Sequence, residues 1–125
     1  MATEAKTKMV VIVDDDESMR NALRGLMKEV GLPARDFASA EDFLAFDHKQ
    51  QTGCVIADIR MPGMSGLELQ ARLKAEHCNI PIIFITGHGD EKMRLQALRA
   101  GAVEFLSKPF DDEILLESVR AAMNN

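Results

Sequence analysis

Apolar residues gather into short runs, and each run ends on a polar residue. Met9-Val10-Val11-Ile12-Val13 is closed by Asp14 and Asp15, Cys54-Val55-Ile56-Ala57 by Asp58, and Ile82-Ile83-Phe84-Ile85 by Thr86. Val103-Glu104-Phe105-Leu106-Ser107 is followed by Lys108. Runs of this length, bounded by turn signals, predict buried strands of a parallel sheet. Helical spacing fills the gaps between them. Met19, Ala22, Leu23, Leu26, Met27 and Val30 fall on one helical face, and Gly31 with Pro33 is a natural stop. Residues 33–37 predict a short second strand, at a sheet edge because of the proline. Ser39 with Asp42 reads as a capping box opening a helix with Phe43, Leu44 and Phe46. Gly53 precedes the third strand and Pro62-Gly63 turns the chain after it. Ser65 with Glu68 is a better capping box and starts a helix to about Glu76. Pro81 leads into the fourth strand, residues 87–89 form a loop, and a helix runs from about Asp90 to Ala100, ended by Gly101. The fifth strand covers about Val103 to Leu106. Asp111, Asp112 and Glu113 open the last helix, where acids favour the positive helix end.

Five strand–helix units predict an α/β three-layer sandwich with right-handed crossovers. In open α/β sheets, ligands bind beyond the carboxyl ends of the strands. Asp14, Asp15, Asp58, Thr86 and Lys108 therefore meet at one edge. Three close carboxylates repel one another, and burial raises their pKa values. A cation removes that penalty. Oxygen ligands with room for water and phosphate oxygens suit Mg²⁺. Asp58 is best placed as a nucleophile toward phosphorus, since carboxylates form acyl phosphates. Lys108 offers a point cation for phosphoryl charge, and Thr86 a hydroxyl for a phosphoryl oxygen. Each residue alone has a plainer reading: a solvated turn, a structural threonine, a surface lysine. Their joint placement on four strand ends points to phosphoryl transfer. The plainer reading of Asp16 is a helix N-cap.

A length of 125 residues suggests one domain. The formal net charge is −5 and there is no Lys/Arg cluster, which argues against direct nucleic-acid binding by this chain. The longest apolar run is far short of a membrane span. The polar start lacks the apolar core of a signal peptide, and residues 1–7 are expected to be a disordered lead-in to a domain over 8–125. Cys54 and Cys78 fit no zinc or redox spacing; they are expected to be buried thiols in a reducing cytoplasm. His48, His77 and His88 form no metal-ligand pattern, and His77 is expected at the surface.

Four segments carry a resemblance: Val-Asp-Asp at 13–15, Asp-Ile-Arg-Met-Pro-Gly-Met-Ser-Gly at 58–66, Phe-Ile-Thr-Gly at 84–87 and Lys-Pro-Phe at 108–110. In this order they resemble the receiver domain of two-component response regulators, over roughly residues 8–123. Thr-Gly-His-Gly-Asp at 86–90, with the stretch at 101–110, is similar to receivers attached to LuxR-type DNA-binding domains of nitrogen-fixation and catabolic regulators. The resemblance implies a flavodoxin-like doubly wound (βα)5 fold with strand order 2-1-3-4-5. It implies that Asp58 is the phosphoacceptor, modified by a sensor histidine kinase. Asp15, Asp58 and the backbone carbonyl of Arg60 would bind Mg²⁺ directly, with Asp14 helping through water. Thr86 and Lys108 would contact the phosphoryl group, and the peptide before Pro109 would be cis. Phe105 occupies the aromatic switch position, without the hydroxyl of members that carry Tyr there. Thr86 would move toward the phosphoryl group, and Phe105 would turn inward behind it. Arg60 and His88 stand where side chains tune hydrolysis. Met93, Leu95 and Leu98 make the fourth helix apolar on more than one side, as core packing or as an output face. Dimerisation on phosphorylation, and control of transcription through an attached DNA-binding domain absent from this chain, are further expectations.

Two other readings stay open on sequence grounds. A haloacid-dehalogenase-like phosphohydrolase would use Asp14 as nucleophile and Asp16 as acid, leaving Asp58 without a role. A phosphorylation-independent interaction module would share the fold and ignore the chemistry.

Overall fold

The computed structural model describes residues 8–87 and 90–124. His88 and the lead-in at 1–7 lie outside them. The elements follow in strict alternation: β1 (Met9–Val13), α1 (Glu17–Glu29), β2 (Ala34–Phe37), α2 (Ala40–Leu44), a 3-10 turn (Lys49–Gln51), β3 (Thr52–Asp58), α3 (Gly66–Ala75), β4 (Ile82–Thr86), α4 (Glu91–Arg99), β5 (Glu104–Ser107) and α5 (Asp112–Met123). The five strands are parallel, in the order β2-β1-β3-β4-β5. This is the expected doubly wound sandwich, with β2 at an edge.

The alternation of strand side chains explains why the runs are apolar throughout. Val11, Val13, Val55, Ala57, Ile82 and Phe84 face one layer, packed with Phe43 of α2, Leu69 and Leu73 of α3 and Ala97 of α4. Val10, Ile12, Cys54, Ile56, Ile83 and Ile85 face the other, packed with Leu23 and Met27 of α1 and Leu115, Leu116 and Val119 of α5. A strand covered on both faces has no polar side to show.

Helix starts follow the capping signals. Asp16 caps α1, accepting from the Ser18 and Met19 N–H groups, which is its plainer reading. Ser65 and Glu68 form a full capping box on α3. Asp90 caps α4 and Asp111 caps α5. Ser39 caps α2 through the Asp42 N–H.

Three expectations are corrected. The second helix stops at Leu44, before Phe46. The Phe46 ring instead lies 5.3 Å from Phe37, and Arg35 sits over it at 4.8 Å. Lys49 Nζ donates to the carbonyls of Leu44 and Phe46, which closes the helix end. The fifth strand lies one residue later than expected, because Ser107 pairs in register with Thr86 while Val103 stays exposed. Cys78 is only half-buried, beyond the C-terminal end of α3; Cys54 is fully buried, which pushes its thiol up to about 12.

Candidate functional site

The carboxyl ends of β1, β3, β4 and β5 share one edge of the sheet. Asp58 is the last residue of β3 and Thr86 the last of β4. Asp14 and Asp15 follow β1 directly, and Lys108 follows β5. One carboxylate oxygen from each of Asp14, Asp15 and Asp58 lies within 4.8 Å of the others. Lys108 Nζ stands 3.3 Å from Asp58 Oδ2 and 3.6 Å from Asp14 Oδ2, bridging two of the three. Asp58 Oδ1 accepts from the Arg60 N–H at 3.2 Å, so the turn after β3 aims this side chain. Asp14 Oδ1 accepts from the Asp16 N–H at 2.9 Å. Thr86 is 1% exposed, and its carbonyl accepts from the Lys108 N–H at 2.8 Å. The Lys108–Pro109 peptide is cis, as the resemblance implied.

The charges in this edge are unequal. Asp14 is buried and Asp15 exposed. Burial raises the Asp14 carboxyl above its ordinary 3.8, and Asp58 and Asp15 add repulsion; the Asp16 N–H and Lys108 pull the other way without prevailing. Burial draws Lys108 down, but the attraction of Asp14 and Asp58 outweighs it and its pKa ends above 10.5. Lys108 brings one positive charge to three carboxylates. The donor set fits Mg²⁺: hard oxygens only, few from protein, with open solvent beside Asp15. Oxygens within 4.8 Å of one another need little adjustment to sit across a shell ~4.2 Å wide, twice the Mg–O length.

Phe105 lies apart from this cluster, on β5 beside Phe84 in register, with ring centroids 6.5 Å apart. It is 8% exposed. The ring packs into the layer shared by α3 and α4.

Three further residues shape the site; Arg20 and Glu41 were not singled out in the sequence, and Gly66 appeared there only as the end of the 58–66 motif. Arg20 of α1 donates from Nη1 to the Asp14 carbonyl at 2.9 Å and from Nε to Asp36 Oδ2 at 3.0 Å. Its only sequence signal is a position one turn after the Asp16 cap. Glu41 Oε2 accepts from the Met64 N–H at 2.9 Å and ties α2 to the loop after Asp58. Gly66 begins α3 so close to β3 that a Cβ there would lie 2.4 Å from the Asp58 carbonyl oxygen.

A family model described as the response regulator receiver domain matches residues 10–120. The chain belongs to that family. Nodulation protein W of Bradyrhizobium diazoefficiens is 50% identical to this receiver domain over 121 residues, covering 96% of this chain and 53% of that protein. The transcriptional regulatory protein FixJ of Rhizobium meliloti is 44% identical over 113 residues, covering 90% of this chain and 55% of that protein. The receiver domain therefore spans about half the length of the curated relatives it matches. Among solved structures, FixJ-N superposes with a TM-score of 0.87 at 41% identity, covering 97% of both chains. The response regulator StyR gives 0.88 at 45% identity, covering 94% of this chain and 60% of that one.

Proposed function

We propose that this receiver domain is a phosphorylation switch in a two-component system, with Asp58 as phosphoacceptor. The unit doing this is taken as residues 8–125. The observation that carries the reading is the Lys108 ammonium, held 3.3 Å from Asp58 beside two further carboxylates on a strand-end edge. A carboxylate oxygen of Asp58 attacks the phosphorus of a phosphohistidine on a sensor histidine kinase. The new P–O bond forms as the P–N bond breaks; its electron pair stays on the imidazole nitrogen, and the imidazole leaves neutral after taking up a proton from solvent. Asp15, Asp58 and the Arg60 carbonyl would hold Mg²⁺ directly, and Asp14 through water. Bound Mg²⁺ supplies positive charge against the phosphoryl oxygens. Lys108 neutralises the remainder, and the Thr86 hydroxyl donates to a phosphoryl oxygen. The domain is not a turnover enzyme; it catalyses its own phosphorylation and dephosphorylation only. Asp16 is committed to its helix cap, so nothing in the site favours a phosphohydrolase using Asp14 and Asp16.

The phosphoryl group adds roughly −1.5 to −2 of charge and three acceptor oxygens. Thr86 moves toward them, and the inward ring of Phe105 is the form that this movement favours. The faces of α4, β5 and α5 carry the change to partners. Leu95 of α4 and Val103 just before β5 are exposed apolar residues, which supports a homodimer formed on phosphorylation. Several relatives are named as transcriptional regulators. The output we infer is control of transcription in the cytoplasm, through a DNA-binding domain attached to this one. Among the described residues no helix is long and apolar enough to cross a membrane.

Intact mass after incubation with acetyl phosphate and Mg²⁺ tests the reading. The expected result is one hydroxylamine-labile phosphoryl adduct that needs Mg²⁺ and vanishes in Asp58→Asn. An adduct that survives in Asp58→Asn overturns the assignment. With no adduct and no shift on adding beryllofluoride, the domain is a phosphorylation-independent interaction module instead.

A further inference from the structure

Asp14 and Asp15 lie beyond the last paired residue of β1, in a turn only three residues long before α1 begins. Their carboxylate oxygens lie within 4.8 Å of that of Asp58, and like charges this close repel one another. Besides Lys108, which reaches the Asp14 carboxylate at 3.6 Å, two contacts from outside the turn act on its backbone. The Asp14 N–H donates to the Phe37 carbonyl at 3.1 Å, which extends the ladder to β2 by one bond. The Arg20 guanidinium donates to the Asp14 carbonyl at 2.9 Å. That carbonyl belongs to the rigid peptide plane joining Asp14 to Asp15. Turning it redirects the Asp15 side chain. The guanidinium is itself aimed: its Nε donates to Asp36 Oδ2 at 3.0 Å, and the two side chains are 16% and 23% exposed. Arg24 approaches the other Asp36 oxygen at 3.7 Å. The planar fork thus spends one donor on Asp36 and one on the carbonyl, a division that a lysine cannot copy.

We propose that Arg20, aimed by Asp36, is a positioning residue for the divalent-cation site, holding the Asp14–Asp15 peptide so that both carboxylates stay beside Asp58. This rests on the reading of the acidic cluster as a Mg²⁺ site. Arg20 touches neither ion nor phosphoryl group. Its positive charge, taken alone, opposes cation binding, and Asp36 offsets much of that field. Removing the fork while keeping the charge separates the two effects, so Arg20→Lys is the informative variant. Partners that bond a ligand side chain are typically worth about 10–100-fold in metal affinity. Arg20 bonds a backbone carbonyl instead, so a loss of roughly 3- to 10-fold is expected.

The test is calorimetric titration with MgCl₂ of the wild type, Arg20→Lys, Asp36→Ala and Val119→Ala, alongside adduct formation from acetyl phosphate over a range of Mg²⁺. Arg20→Lys is expected to raise the Mg²⁺ dissociation constant by that factor, with the rate at saturating Mg²⁺ close to wild type. Asp36→Ala should shift affinity in the same direction. Val119→Ala, a core change in α5, should lower stability and leave Mg²⁺ affinity alone. Wild-type affinity in both Arg20→Lys and Asp36→Ala overturns this inference while the Mg²⁺ site stands. An equal loss in Val119→Ala overturns it too, by assigning the effect to stability. A wild type that binds no Mg²⁺ overturns the reading of the site, and this inference with it.

Discussion

Asp14 shows how a site residue works against its own fold. Its carboxyl is raised by burial first and by neighbouring acids second. An acid with a raised folded pKa contributes stability in its protonated form. That contribution is fully present below the ordinary value of 3.8 and is lost as pH rises through the folded pKa. At neutral pH without a divalent cation the charged form is therefore a burden. Asp14→Asn is expected to raise the melting temperature of the metal-free protein by roughly 2–5 °C at pH 7 and to flatten its dependence on acid pH. Thermal unfolding from pH 4 to 8 checks this; an unchanged slope would count against the assignment. His77 carries a second local cost. It sits at φ 60° just past α3, donating to the Lys74 carbonyl while Cys78 donates to that of Leu73. Gly31 and Gly101 close α1 and α4 with the same pair of bonds. The sequence offers no glycine after α3, so this left-handed stop was not legible there. His77→Gly is expected to stabilise the fold by about 0.5–1 kcal/mol, read from a denaturant midpoint shift with the slope unchanged.

At the level of elements, the site depends on how closely α3 approaches β3. The Gly66 N–H donates to the Ile59 carbonyl at 2.8 Å. A Cβ on Gly66 would also lie 3.0 Å from Ile59 Cα and from a ring carbon of Phe84. The nearest obstacle is the backbone carrying Asp58, which has no rotamer to yield. Gly66→Ala is expected to cost about 3 kcal/mol by overpacking and to slow adduct formation at Asp58. A loss below about 1 kcal/mol would mean that α3 slides away freely. On the other side of the sheet's midline, β5 carries Phe105 against Phe84 of β4. The ring reaches no hydrogen-bonding partner, so burial is its only readout. Phe105→Ala is expected to leave the phosphoryl adduct intact and to weaken beryllofluoride-induced dimerisation on a sizing column. Dimerisation equal to wild type would remove Phe105 from the relay.

For the whole molecule, the net charge of −5 and the acidic edge lead to the expectation that a divalent cation stabilises the fold. A ligand that binds only the folded state stabilises it by mass action. At ten times its dissociation constant, Mg²⁺ contributes about 1.4 kcal/mol, or roughly 4–6 °C in melting temperature. Asp15→Ala should abolish most of this rise. A rise that persists unchanged would place the ion elsewhere.

The amino-acid sequence by itself determined the order of strands and helices, the capping residues and the strand-end position of Asp14, Asp15, Asp58, Thr86 and Lys108. These follow from period, caps and turn chemistry, which act over a few neighbouring residues. Tertiary structure alone decided which further side chains support that edge. Arg20 and Asp36 are 16 positions apart, and Glu41 and Met64 are 23. No local pattern encodes which of many polar side chains will converge across such gaps. Sheet register and helix packing decide it, and they also decided that α2 stops before Phe46 and that Phe105 lies inward. The acids were legible because they end apolar runs. The arginine that aims two of them was not, because its partners are a backbone carbonyl and an edge-strand aspartate that only the folded sheet brings within reach.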